Sequence, residues 1–166
     1  MLSLLQGKLS KIILFMIKGV QIKKIIRHCD DRGFFSEIFT SDDPFFSQIK
    51  QTSYTETYPG IIKAFHFHKQ QDDIWFVANG MAQVVLYDLR ENSETKGKTQ
   101  IVYAGEDNSI LIYIPKGVAH GYRVLGNKKV CLFYHTTERY DIKNPDEYRI
   151  PYDSNEINFD WQTKNK

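Results

Sequence analysis

Short apolar-rich runs recur along the chain, each closed off by turn-forming residues. The runs cover residues 22–26, 34–40, 51–58, 61–68, 74–77, 82–89, 99–103, 109–114, 121–125 and 130–136. Between them stand Asp30-Asp31-Arg32-Gly33, Pro59-Gly60, Asn79-Gly80, Glu106-Asp107-Asn108, Pro115-Lys116-Gly117 and Gly126-Asn127. Runs of this length, spaced roughly 8–12 residues apart and joined by Asn-Gly and Gly-Asn pairs, predict an all-β sandwich or barrel of about ten strands. Residues 42–50 predict a short peripheral helix with Ser41 or Asp42 as its cap. Alternation along 61–68 places Ala64, His66 and His68 on one side of a strand, and Phe65 and Phe67 on the other. That split predicts a polar interior face backed by an apolar layer.

Nothing divides residues 17–161 into smaller units, so they read as one domain followed by a tail at 162–166. Residues 1–16 form an apolar extension interrupted by Lys8 and Lys11. It falls short of the ~20 apolar residues of a spanning helix, and no small-residue cleavage site follows it. Met16 is then an alternative start, and the expected location is cytoplasmic. Residues 144–153 are dense in Pro, Tyr and charge. They predict a strap packed on the barrel near the mouth of a site, or else a surface tail.

Composition reinforces the β reading. Aromatic residues make up 14 % of the chain, with ten Tyr and eleven Phe, and such side chains suit pleated, half-buried surfaces. A formal charge of +2 gives no case for nucleic acid or an acidic membrane as partner. Cys29 and Cys131 have no metal or redox spacing and read as buried thiols in a reducing compartment.

The chemistry gathers around histidines. Gly60, His66, His68, Asp73 and Gly80 are followed by Pro115, Gly117 and His120. His66 and His68 share a strand face, and His120 arrives on another strand after a Pro-Gly turn, so three imidazoles can converge inside a barrel. Neutral imidazole is a ligand for zinc, iron, nickel or copper, and Asp73 would complete a four-ligand set. Imidazole is equally the commonest general base near neutral pH. His28 and His135 lack such company and read as ordinary structural residues.

These two groups resemble the paired motifs of the cupin superfamily, with Asp73 where the first motif has Glu. The fold implied is a double-stranded β-helix, or jelly-roll. A narrower likeness runs through Asp31-Arg32-Gly33-Phe34-Phe35 and Glu37, Gln51, Gly60 to His66, Asp88-Leu89-Arg90, Ile114 to Tyr122, and Leu132-Phe133-Tyr134 with Thr137. There the chain resembles the dTDP-4-dehydrorhamnose 3,5-epimerase family. The resemblance implies epimerisation of a nucleotide-linked 4-keto-6-deoxy sugar for surface polysaccharide, by proton removal, an enolate and proton return, with no cofactor. It implies His66 as base, Tyr134 as acid and Lys63 near the enolate oxygen. It further implies Arg32, Phe35, Glu37, Gln51, His68, His120 and Tyr140 as substrate-binding residues, and a homodimer. Strict alternation puts Lys63 opposite His66, so its role requires a bulge or a long reach.

The chain departs from that family at informative positions. His68 stands where the epimerases have Gln, and Asp73 where they have Lys, which restores metal-ligand residue types. With His66 and His120 they define the alternative of a metal-dependent enzyme holding one divalent transition metal. The family's Asp that orients the catalytic His has no match, leaving Asp146, Asp153 or Asp160 as substitutes. The run His66-Phe67-His68-Lys69 also resembles the 3,4-ketoisomerases of dTDP-sugars.

Overall fold

Twelve short strands occur among the described residues, 17–44 and 46–163 of this computed structural model, and ten of them build two facing antiparallel sheets. In chain order they are β1 (Gln21–Lys24), β2 (His28–Asp30), β3 (Gly33–Phe35), β4 (Gln51–Thr57), β5 (Ile62–Phe67) and β6 (Asp73–Asn79). They continue as β7 (Met81–Asp88), β8 (Thr99–Gly105), β9 (Ile110–Ile114), β10 (Val118–Leu125), β11 (Val130–Thr136) and β12 (Tyr148–Arg149). One sheet has the order β1-β9-β6-β11-β4 and the other β12-β5-β10-β7-β8, while β2 and β3 form a separate hairpin. This is the all-β sandwich expected from the turn spacing, with the jelly-roll architecture that the cupin resemblance implies.

Both faces of the central strands are covered, which explains why β6 and β7 read as continuous apolar runs rather than as alternation. Between the sheets, Val77, Val84, Leu86, Ile112, Val124 and Leu132 fill one end of the barrel. Behind the first sheet, Ile74, Phe76 and Leu111 are capped by Ile25, Ile38, Phe39 and Ile49. Behind the second, Phe65, Val85 and Ala119 are capped by Ile150 of the C-terminal strap and by Ile157 and Trp161 just beyond it. Burying one such large side chain contributes about 1.5–3 kcal/mol, so the strap is part of the fold and not a loose tail.

Several expectations need correction. The helix expected over 42–50 is a single 3-10 turn at Phe46–Gln48. The Asp43 carboxylate accepts from Thr40 N and from Lys23 Nζ, which fixes a turn, and β4 follows at Gln51. The strand expected over 34–40 stops at Phe35 because Ile38 and Phe39 lie down on the outer face of the first sheet. Cys29 is exposed and Cys131 half-buried, and both are free thiols. Among the described residues no helix is long and apolar enough to cross a membrane. The extension at 1–16 and the end of the tail at 164–166 lie outside the described residues.

Candidate active site

A bulge on β5 creates the site. His66 pairs with His120, and Lys63 pairs with Tyr122, so β5 spends three steps where β10 spends two. The extra residue brings Lys63 back to the same face as His66, the first of the two routes its expected role left open. It also overturns the expected grouping of Ala64 with the histidines: Ala64 packs in the outer apolar cluster with Phe65 and Phe67. Gly121 makes the bulge possible, because a Cβ there would lie 2.3 Å from Ala64 Cβ and 2.8 Å from the Lys63 carbonyl oxygen.

The open end of the barrel is a cavity of about 960 Å³, near the top of the ~300–1,000 Å³ range of small-molecule sites. The second sheet supplies Lys63, His66, His68 and Tyr122, and the first supplies Gln51, Asp73, Trp75 and Tyr134. The strap closes one side with Tyr140, Asp146, Tyr148 and Arg149. Its position follows from two contacts. β12 pairs with β5, setting Arg149 directly across from His66. The Asp146 carboxylate accepts from the backbone N–H groups of Lys69, Gln70 and Gln71. Burial tends to raise the Asp146 carboxyl, but these three donors and His68 hold it below the usual range.

The His66 side chain makes no hydrogen bond with the described residues and lines the cavity. Burial, then the neighbouring His120, pull its imidazole well below the ordinary value, so at neutral pH it carries a free lone pair. Asp73 lies beneath, 2 % exposed. Burial works to raise its carboxyl, yet His120, His68 and the Trp75 N–H outweigh that and hold it ionised. Trp75 Nε1 donates to Asp73 Oδ2 at 3.0 Å, and Gln71 Nε2 donates to Oδ1 at 2.7 Å. Ligand atoms of His66, His68, Asp73 and His120 all lie within 4.8 Å of one another. Asp146, one of the candidates for orienting His66, instead accepts from His68 Nδ1 through its carbonyl oxygen, and an Asp73 carboxylate oxygen lies within 4.8 Å of a His66 ring nitrogen.

The expected substrate residues divide. Lys63, His66, His68, Gln51, Tyr134 and Tyr140 line one cavity, and Gln51 Oε1 accepts from Tyr140 N at 3.0 Å. His120 is not among the lining residues. It is 1 % exposed and packs behind His66, ring centroids 4.3 Å apart. Arg32, Phe35 and Glu37 also fail to reach this cavity. Arg32 and Phe35 sit on the exposed β2–β3 hairpin, where Arg32 pairs with Asp30. Lys69, which carried the ketoisomerase likeness, lies over the Tyr148 ring and not in the lining. His135 stacks on Phe39 outside the barrel. Sequence reasoning missed Trp75, Tyr148 and Arg149. The Tyr-Arg pair between two prolines was the available signal, but its register against β5 was not legible.

The family model described as dTDP-4-dehydrorhamnose 3,5-epimerase matches residues 15–166. The spore coat polysaccharide biosynthesis protein SpsL of Bacillus subtilis is 54 % identical over 149 residues, 90 % of this chain and 99 % of SpsL. Among solved structures, a dTDP sugar isomerase from Desulfovibrio desulfuricans superposes with a TM-score of 0.80 at 29 % identity, covering 87 % of this chain and 92 % of that one. A dTDP-6-deoxy-D-glucose-3,5-epimerase from Legionella pneumophila, in complex with dTDP-4-keto-L-rhamnose, gives 0.76 at 27 % identity, covering 86 % and 78 %.

Proposed function

Because the chain belongs to the dTDP-4-dehydrorhamnose 3,5-epimerase family, we propose that it inverts one or both carbons flanking the ketone of a nucleotide-linked 4-keto-6-deoxy sugar. The observation that carries the reading is that His66 and Tyr134 line one cavity from opposite sheets, on β5 and β11. Inversion needs a base on one face of the sugar ring and an acid on the other, and this arrangement supplies both.

The neutral His66 imidazole takes the proton from a carbon made acidic by the adjacent ketone. The imidazolium formed lies within 4.8 Å of the Asp73 carboxylate, which stabilises it where the family's usual Asp has no match. Lys63, whose Nζ donates to Thr55 Oγ1 at 3.0 Å at the cavity wall, places a positive charge for the enolate oxygen. Tyr134 returns a proton from the opposite face. Arg139 and Arg149 also line the cavity and suit a diphosphate. Each step uses protein groups alone, with no cofactor. SpsL's name supports surface-polysaccharide synthesis as the setting, and a nucleotide-sugar substrate supports a cytoplasmic one.

A homodimer completes the reading. Phe34 and Phe35 on the hairpin, with nearby Ile26, are 59–66 % exposed, a patch that a second copy would cover. Arg32, Phe35 and Glu37 then serve a partner's cavity, which accounts for their distance from their own. Incubating the protein with dTDP-4-keto-6-deoxyglucose and following the sugar by NMR tests the function. Inversion at carbon 3 or 5 supports it, and unchanged sugar or a 3-keto product refutes it.

A further inference from the structure

A pair of hydroxyls ties the two sheets together beside the cavity, and the proton-transfer scheme does not use it. Tyr122 Oη on β10 and Thr57 Oγ1 at the end of β4 lie 2.6 Å apart. Both side chains are buried. Two hydroxyls carry two hydrogens, but the bond between their oxygens takes up only one of them. The other needs an acceptor.

The surroundings decide which hydroxyl donates. If Tyr122 donated, the hydrogen left over would belong to Thr57. Thr57 makes no second side-chain hydrogen bond among the described residues and is not in the cavity lining, so a buried donor would go unmet at appreciable cost. If Thr57 donates, the hydrogen left over belongs to Tyr122, which does line the cavity. Its acceptor is then whatever fills that space. Only the second arrangement leaves no buried group unmatched.

The phenol is also held in place. The Trp75 ring stands edge-on to it, with centroids 5.7 Å apart at 89°, and Val84, Val124 and Leu132 belong to the same buried cluster. Across the β5–β10 ladder its partner is Lys63, whose Nζ donates to Thr55 Oγ1 at 3.0 Å. Thr55 and Thr57 are two residues apart and share one face of β4. That strand therefore anchors an ammonium and a phenol side by side, on the wall where the enolate oxygen has been placed.

We propose that Tyr122 is a substrate-binding residue whose O–H, turned into the cavity by Thr57, donates to an oxygen of the nucleotide-linked sugar. Thr57 is its positioning residue. The proposal rests on the reading of the substrate as a sugar nucleotide and adds a specificity determinant to it. A sugar lacking an oxygen at that point would strand the donor, and sites built this way discriminate strongly.

Calorimetric titration with dTDP-glucose, which has no ketone and is not turned over, is compared with titration by dTDP alone. Tyr122→Phe and Thr57→Val should each weaken dTDP-glucose by roughly 10–100-fold and leave dTDP unchanged. Thr57→Ser, which keeps the hydroxyl, should restore the affinity that Thr57→Val loses. Circular dichroism and urea unfolding check folding; if Tyr122→Phe misfolds, the two Thr57 variants carry the comparison. A tie that served stability alone would lower the unfolding midpoint without separating the two ligands. Wild-type affinity for dTDP-glucose in folded Tyr122→Phe, or an equal loss of both ligands, overturns the proposal. The epimerase reading fails independently: wild-type protein that binds dTDP-glucose through Tyr122 yet leaves the keto sugar unchanged refutes inversion and upholds the role of Tyr122.

Discussion

Gly121 and Ala64 meet across the β5–β10 ladder so closely that a Cβ on Gly121 would sit 2.3 Å from Ala64 Cβ and 2.6 Å from its Cα. That contact lets β5 bulge, and the bulge turns Lys63 and His66 to the same side. Gly121→Ala must displace backbone rather than a flexible side-chain tip. Overpacking of this kind costs about 1–3 kcal/mol, read as a lower midpoint in urea unfolding. Because the displaced backbone carries Lys63, turnover should fall by more than the loss of folded protein explains.

Removing either proton-transfer group should leave the cavity intact. General acid or base catalysis is worth ~10²–10⁴-fold, so His66→Asn and Tyr134→Phe should each lower kcat by about that factor while changing dTDP affinity little. Steady-state kinetics with calorimetric titration of dTDP separates the two quantities. Loss of nucleotide binding in step with activity would show that these residues bind rather than react.

The C-terminal strap should behave as a wall of the site. Asp146→Ala removes the acceptor for three backbone N–H groups, while the turn at Lys69–Gln71 stays folded against water. The expected result is a raised KM, a smaller change in kcat, and faster proteolysis within residues 144–153.

Stability toward acid should depend on Asp88, whose side chain is 0 % exposed. Burial would raise its carboxyl, but Arg90, Ser93 and Thr95 donate to it and depress it well below the usual value. A depressed carboxyl contributes stability above its unfolded pKa of ~3.9, and loses it as pH falls through the folded value. Asp88→Asn should cost roughly 2–4 kcal/mol at neutral pH. The penalty should shrink steadily below about pH 4, as chemical denaturation at several pH values would show.

The all-β sandwich was legible because strand runs and turn dipeptides are local signals, and its jelly-roll form came from the resemblance of the histidine motifs. Gly60, Gly80, Gly117 and Gly126 all hold the positive φ that those turns require. The histidine cluster was legible for the same reason, since two members share a strand and the third follows a Pro-Gly turn. The bulge was foreseen only as a need of Lys63, since alternation alone assigned Ala64 to the wrong face. Arg149 was not foreseen, because its place depends on the pairing of a two-residue strand with β5 more than eighty positions earlier. The separation of Arg32, Phe35 and Glu37 from the cavity was equally hidden, since nothing in a hairpin's sequence says which surface it will face.

Proton exchange tests the central claim most directly. Incubated in deuterated water with dTDP-4-keto-6-deoxyglucose, the wild-type protein should place solvent deuterium on carbon 3, carbon 5 or both, seen by mass spectrometry and located by NMR. His66→Asn should abolish that incorporation. A sugar recovered without deuterium, or incorporation that survives undiminished in folded His66→Asn, would contradict the account.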